Sequence, residues 1–229
     1  EKGFNVIVAC RNTGKVEQIK SYGIKCHPLK WERGFSSVLD IIKDVKEVNG
    51  VIKNIRPDIL HLVSIRAIVV GLLASIFMKR LSRVIAVTGL GTIFLSREYK
   101  VLIIKFFISI LLFIYSRNSK TRIILQNRDD ANYFKNNLLC SSKRIVIIRG
   151  SGVDIRLNKV QEMPPSPPLI LAFVGRLIKD KGIEVLIEAF QVAIDKNYKI
   201  KLIIAGSPDY SNPSSISLEY LQSVIKKNK

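Results

Sequence analysis

The sequence predicts an α/β protein built on parallel sheet, with a second α/β region following the first. Three observations predict it. Short apolar runs of strand length alternate with longer segments of helical period along the chain, the pattern of strands joined by crossover helices. One such run, residues 169–174, ends at Gly175 and a short basic turn, then gives way to an amphipathic segment. The stretch Met163-Pro164-Pro165-Ser166-Pro167-Pro168 separates the two alternating regions as a stiff linker.

Taken in order, residues 4–9 read as a buried strand, and residues 13–22 as a helix stopped by Gly23. Residues 24–29 read as a second short strand. Val38, Ile41, Ile42, Val45, Val48, Ile52 and Ile55 fall on one helical stripe that Pro57-Asp58 ends. A strand over 59–63, a helix over 65–78 and a strand over 84–87 follow. Residues 101–115 form the most apolar segment, expected as a helix. It is too short to span a bilayer, which takes ~20 apolar residues, and Lys105 interrupts it. Arg122 to Leu125 reads as a strand, and Gln126-Asn127-Arg128-Asp129-Asp130 as a helix start with acids in its first turn. Strands over 145–148, 169–174 and 200–205 and helices over 183–194 and 217–227 complete the reading. The expected domains are 1–160, a linker at 161–168, and 169–229.

Of the 229 residues, 48% are hydrophobic, enough for a packed core rather than a disordered chain. The net charge of +19 is uneven: residues 1–159 hold 28 Lys and Arg against 11 Asp and Glu, and residues 160–229 hold 9 against 7. A basic first half favours polyanions such as diphosphates and anionic lipid surfaces. Cys10, Cys26 and Cys140 are odd in number and form no CxxC pair, which argues against a disulfide framework and against zinc, and suits a reducing cytosol. The first residues, Glu-Lys-Gly-Phe-Asn-Val, read as the inside of a fold rather than a signal peptide.

The chemistry gathers at Gly175-Arg176-Leu177-Ile178-Lys179-Asp180-Lys181-Gly182. A loop at the carboxyl end of a parallel strand is where α/β proteins bind ligands. The next helix aims unpaired N–H groups and partial positive charge at that loop. With Arg176 and Lys181 beside it, the turn suits a diphosphate. Thr88-Gly89-Leu90-Gly91 lets backbone come close to a ligand, but Phe94 and the missing acidic residue exclude a dinucleotide fingerprint and so disfavour a nicotinamide dehydrogenase. His61 sits near a strand end, as a site residue or a hydrogen-bonded core histidine.

The Gly-Arg-Leu-x-x-x-Lys-Gly turn resembles the donor-binding turn of family 4 glycosyltransferases. Five further pieces match in family order: Pro57-Asp58-Ile59-Leu60-His61-Leu62-Val63, Thr88-Gly89-Leu90-Gly91, Gln126-Asn127-Arg128-Asp129-Asp130, Gly150-Ser151-Gly152-Val153-Asp154, and Asn212-Pro213-Ser214-Ser215-Ile216-Ser217. They are similar to the branch that acts on polyprenyl-diphosphate-linked sugars, as the diacetylbacillosaminyl-diphospho-undecaprenol N-acetylgalactosaminyltransferases do. The resemblance implies a GT-B fold: two Rossmann-like domains facing a cleft, the first nearly complete and the second partly present. It implies retaining, metal-independent transfer from a nucleotide-sugar, UDP-linked in this branch. Arg176 and Lys181 would hold the diphosphate, and Gly89, Gly91, His61 and Gly152 would contact donor or acceptor. No cofactor or metal is expected.

Two departures stand out. The family's first strand with its Gly-rich loop, and its Glu-x7-Glu motif, are not found, so the chain reads as a fragment truncated at both ends. The catalytic residues are left unassigned. The implied partners are a nucleotide-sugar, a polyprenyl-diphosphate acceptor and an anionic membrane surface, with the protein peripheral on the inner face of the cell membrane; helix 101–115 reads first as a domain helix that buries its apolar face, and as the alternative part of it dips into that surface. The rival readings are a non-catalytic fragment of such an enzyme and a basic nucleic-acid-binding protein. Against the latter, no RRM, KH or zinc-finger pattern is present and the aromatics do not interleave with the basic residues.

Overall fold

A computed structural model describes residues 3–31, 37–89, 99–150, 152–210, 212 and 214–227. The chain divides into two compact units, Glu1–Gly152 and Val153–Lys229.

The first unit opens with β1 (Ile7–Arg11), α1 (Val16–Ser21) and β2 (Lys25–Leu29). β1 and β2 pair in parallel from Ile7↔Lys25 to Arg11↔Leu29. The strand therefore starts three residues later than the apolar run suggests. Phe4 and Val6 lie exposed ahead of it. α2 (Val38–Ile55) follows the predicted stripe. Ser37 caps it, its Oγ accepting from the Asp40 N–H at 3.2 Å, and Arg56 ends it in the left-handed region.

β3 (Ile59–Val63), β4 (Ser82–Val87), β5 (Thr121–Leu125) and β6 (Ile145–Ile147) form a parallel sheet in the order β3-β4-β5-β6. Among the described residues β1-β2 and β3–β6 share no ladder. α3 (Ile65–Ala74) links them through packing instead. Its Ile68, Val69 and Leu72 join a core with Leu62, Ile85, Ile123, Leu125 and Phe134, while its Val70 and Ala74 join a second core with Leu29, Val48 and Ile52. Burial on two sides explains why this helix is apolar all round.

α3 ends four residues earlier than its apolar pattern predicts. Arg83, 2% exposed, reaches back into the turn and donates to Ser75 Oγ (2.9 Å), Leu81 O (2.9 Å), Met78 O (3.0 Å) and Ser75 O. Ser75 O and Met78 O also accept from the backbone N–H groups of Met78 (3.0 Å) and Leu81 (3.2 Å), so the guanidinium adds side-chain bonds to a turn that is already backbone-bonded and ties it to β4.

α4 (Tyr99–Ser116) buries Ile108, Leu112 and Tyr115 in the first core, and Tyr115 Oη donates to Leu72 O at 2.7 Å. α5 (Arg128–Asn136) begins where the sequence signals it: Asn127 Oδ1 accepts from the Asp130 N–H at 2.7 Å, with Asp129 and Asp130 in the first turn.

The second unit holds β7 (Leu169–Val174), α6 (Ile183–Asp195), β8 (Ile200–Ala205) and α7 (Leu218–Lys227). β7 and β8 pair in parallel from Leu169↔Ile200 to Val174↔Ala205. Leu177, Ile183, Ile216 and Leu221 make its core.

Candidate functional site

β7 ends at Val174, and the chain turns through Gly175 into residues 176–182. Leu177 and Ile178 point inward and are buried, which turns Arg176, Lys179 and Lys181 outward into solvent. The turn is laced to the segment after β8. Gly175 N donates to Ala205 O (3.1 Å), Leu177 N to Ser207 O (3.0 Å), Lys179 N to Ser214 O (2.9 Å) and Ile216 N to Leu177 O (2.9 Å). Asn212 Oδ1 accepts from the Ser214 N–H at 2.9 Å, and Ser214 Oγ lies 3.1 Å from Asp180 Oδ2. These bonds fix the backbone of the turn that carries Arg176, Lys179 and Lys181.

Gly206 makes the close approach possible. A Cβ built there would lie 1.9 Å from Gly175 O, so no other residue fits. Gly182 has φ +73° and caps α6, whose Leu186 N donates to Gly182 O at 2.9 Å. Residues 179–181 form a single 3-10 turn ahead of it. Lys181 therefore stands beside the positive end of a thirteen-residue helix.

The structure brings Arg176 and Lys181 into one turn, as the sequence predicts. It also adds Asp209, which sequence reasoning left without a role. Arg176 Nη1 donates to Asp209 Oδ2 at 2.7 Å; the arginine side chain is 49% exposed and the carboxylate 14%. No spacing rule links residues 33 apart, so only the fold reveals the pair. One signal was present: Asp209 follows the second strand's carboxyl end as Arg176 follows the first.

The other predicted site residues belong to the first unit. Gly89 lies just past the carboxyl end of β4 with φ +148°. Gly91 lies outside the described residues. Gly152 has φ +69° and is exposed. Asp154 of the same motif accepts from Arg156 Nη2 at 2.8 Å, which holds its carboxyl below the usual range. His61 is the correction. It stands mid-strand in β3, opposite Val84 of β4, with its side chain exposed. It is neither at a strand end nor in the core: the strand's alternation sends Leu62 inward and His61 outward.

Sequence reasoning also missed a charged recess in the first unit. Lys30, Trp31, Asp40, Lys43, Asp44, Glu47 and Arg66 line a cavity of about 500 Å³. The buried Asp44 carboxylate pairs with Arg66 Nη2 at 2.5 Å, and the guanidinium lies 5.8 Å from the Trp31 ring centroid. The signal was an aspartate within the inward stripe of α2. Cys10 and Cys26, sixteen residues apart, are neighbours across β1 and β2 with sulfurs 3.9 Å apart, both as thiols. Among the described residues no cluster of three His, Cys, Asp or Glu could hold a metal ion.

Residues 1–127 match the family described as glycosyl transferase 4-like, and residues 154–225 match glycosyl transferases group 1. The chain belongs to the glycosyl transferase 4-like family. It is 22% identical over 220 residues to the N,N'-diacetylbacillosaminyl-diphospho-undecaprenol alpha-1,3-N-acetylgalactosaminyltransferase of Campylobacter jejuni, covering 90% of this chain and 57% of that relative. A 43-residue stretch is 42% identical to the capsular polysaccharide biosynthesis glycosyltransferase CapM of Staphylococcus aureus, 19% of this chain and 11% of CapM. The chain thus spans little more than half the length of the longer match.

Solved structures agree on the fold. A glycosyltransferase from Rickettsia africae superposes with a TM-score of 0.64 at 18% identity, over 98% of this chain and 56% of that one. The Anabaena protein HepE, in complex with UDP and glucose, superposes at 0.56 and 16% identity, over 98% and 64%. The fold of this family member is therefore the mixed α/β architecture of GT-B glycosyltransferases.

Proposed function

We propose that the chain is part of a retaining, metal-independent glycosyltransferase of surface polysaccharide or glycan assembly. It would move a sugar from a nucleotide-diphosphate donor, UDP-linked, to a polyprenyl-diphosphate-linked saccharide. The observation that carries the reading is the Arg176–Lys181 turn, prebuilt at the carboxyl end of β7 and at the N-terminus of α6. The Campylobacter relative's name supports the acceptor class.

Breaking the bond between sugar and diphosphate leaves the electron pair, and growing negative charge, on the diphosphate oxygen. Arg176, Lys181 and the N–H groups of α6 meet that charge with fixed dipoles and cations. Because the protein supplies positive charge, the proposed step takes no metal. Loss of one such contact typically costs ~2.7–4 kcal/mol of barrier. Among the described residues no helix is long and apolar enough to cross a membrane, and the proposed location is peripheral, at the inner face of the cell membrane.

The test is UDP binding by calorimetry, followed by transfer assays with UDP-sugars and lipid-diphosphate acceptors. Saturable UDP binding that Arg176→Ala weakens without loss of fold is expected. Equal UDP binding by the Arg176→Ala protein would overturn the assignment. UDP binding without transfer would favour the rival in which this chain holds a donor but does not turn it over.

A further inference from the structure

In the first unit, the carboxyl ends of β2 and β3 meet the first half of α2 around the charged recess. Lys30 and Trp31 follow β2 directly. Arg66 stands in the first turn of α3, delivered there by Ser64, which holds φ +80° between β3 and α3. A serine at positive φ is strained, and such strain gathers at functional sites. Asp40, Lys43, Asp44 and Glu47 are spaced as one face of α2. The recess holds about 500 Å³, inside the range of about 300–1,000 Å³ in which proteins enclose small molecules.

One wall of the recess is held in place. Asp44 is 6% exposed and grips Arg66, whose guanidinium lies over the Trp31 ring. A planar guanidinium so held presents its donors in a set direction. A buried ion pair adds little net stability, since desolvation offsets its attraction, so packing alone does not account for it. Glu47 accepts from the Lys30 N–H at 3.2 Å, which ties the end of β2 to α2. The lining charge is balanced: Lys30, Lys43 and Arg66 stand with Asp40, Asp44 and Glu47. That balance selects the ligand class. A phosphate gains little from cations already matched by carboxylates, and a cation meets the converse. An apolar molecule would strip water from six charges and return no hydrogen bond. An uncharged polyol suits both signs. Its hydroxyls donate to carboxylates and accept from ammonium and guanidinium groups. The C–H face of a sugar ring packs on an indole.

We infer that this recess is a recognition subsite for an uncharged sugar ring. Half-buried Trp31 is the platform. Asp40 and Glu47 accept from the sugar hydroxyls, Lys43 donates to them, and the Asp44–Arg66 pair forms the fixed wall. The role of that sugar rests on the proposed saccharide acceptor: the recess takes one unit of it and so selects acceptors by their sugar. Its binding needs neither the donor turn nor a lipid. Sugar binding at Trp31 and UDP binding at Arg176 can therefore fail separately.

Trp31 is the one tryptophan of the sequence, so tryptophan fluorescence reports on the recess alone. The experiment titrates the full chain with glucose, galactose, N-acetylglucosamine, N-acetylgalactosamine and lactose, and separately with sodium phosphate, without nucleotide or lipid. At least one sugar should shift the emission saturably, and phosphate should not. Lys43→Met and Glu47→Gln both keep the reporter. Lys43 is exposed, and glutamine keeps an acceptor for the Lys30 N–H, so an unchanged melting curve would verify each fold. Each variant should weaken sugar binding about tenfold, the loss that goes with a hydrogen bond to a charged group. Equal affinity in wild type and both variants would overturn the proposal. So would the absence of a saturable shift with every sugar up to its solubility, or a saturable shift with phosphate that sugars do not displace.

Discussion

Arg176 already holds a carboxylate: its Nη1 lies 2.7 Å from Asp209 Oδ2. In the proposed function a donor diphosphate would bring the same kind of oxygen to the same cation, and the two would compete. Asp209→Asn removes the competing charge and keeps the shape. It is expected to tighten UDP binding about fivefold, the ~1 kcal/mol scale of a half-exposed ion pair, and Arg176→Ala to weaken it. Calorimetric titration with UDP decides; weaker binding by Asp209→Asn would mean that the carboxylate orients the arginine rather than competing for it.

Gly206→Ala tests the lacing of the turn. Its new methyl group would meet Gly175 O, which is backbone and cannot swing aside. The two loops must separate, with an expected loss of about 1–3 kcal/mol in stability. Thermal unfolding should show the loss and UDP titration a parallel weakening. An unchanged melting temperature would show that the loops part without strain.

Arg83 is a structural counterpart of Arg176. It is a buried cation whose hydrogen-bond partners are carbonyls and a serine hydroxyl, with its Cζ 5.0 Å from the Tyr115 ring centroid. Burial pulls its guanidinium below its ordinary value. Arg83→Met removes its hydrogen bonds to Ser75 Oγ, Ser75 O, Met78 O and Leu81 O, of which Ser75 O and Met78 O keep backbone donors, and is expected to cost about 2–4 kcal/mol. Tyr115→Phe loses one bond to Leu72 O and should cost about 1 kcal/mol. Urea unfolding measures both, and a cost for Arg83→Met below that of Tyr115→Phe would refute its role in tying the turn to β4.

Cys140 gives a pH dependence. Burial pushes its thiol up to about 11 from an ordinary 9.0, against smaller opposing effects from Ser116 and Arg117. The fold favours the neutral form, so this contribution to stability is whole below pH 9.0 and is lost as pH rises toward about 11. Cys140→Ala should flatten the decline of stability across that window. Cys140 should also be the slowest thiol to alkylate in the native protein, and preferential labelling of Cys140 would refute its burial.

The sequence made the elements legible wherever local chemistry decides them. Asn127 with Asp129 and Asp130, and the stripe from Val38 to Ile55, signal their helices through capping and period alone. Gly175 and Gly182 bracket the turn that carries Arg176 and Lys181 for similarly local reasons. What was hidden depends on contacts between distant residues. Arg83 binds the turn after α3 from the next strand, and the apolar run past Ala74 misleads. His61 looks special by type, yet strand alternation sends it outward. Asp209 and Arg176, and Cys10 and Cys26, meet only because parallel strands bring distant residues side by side.

The separation of β1-β2 from β3–β6, and the pairing of β7 with β8 alone, leave several strand edges outside the described ladders. Such edges are templates on which molecules stack into aggregates. The net charge of +19 holds molecules apart and restrains that stacking. Added salt screens this repulsion, so the protein is most prone to precipitate at high salt. Purification should therefore keep salt low and let charge preserve dispersion.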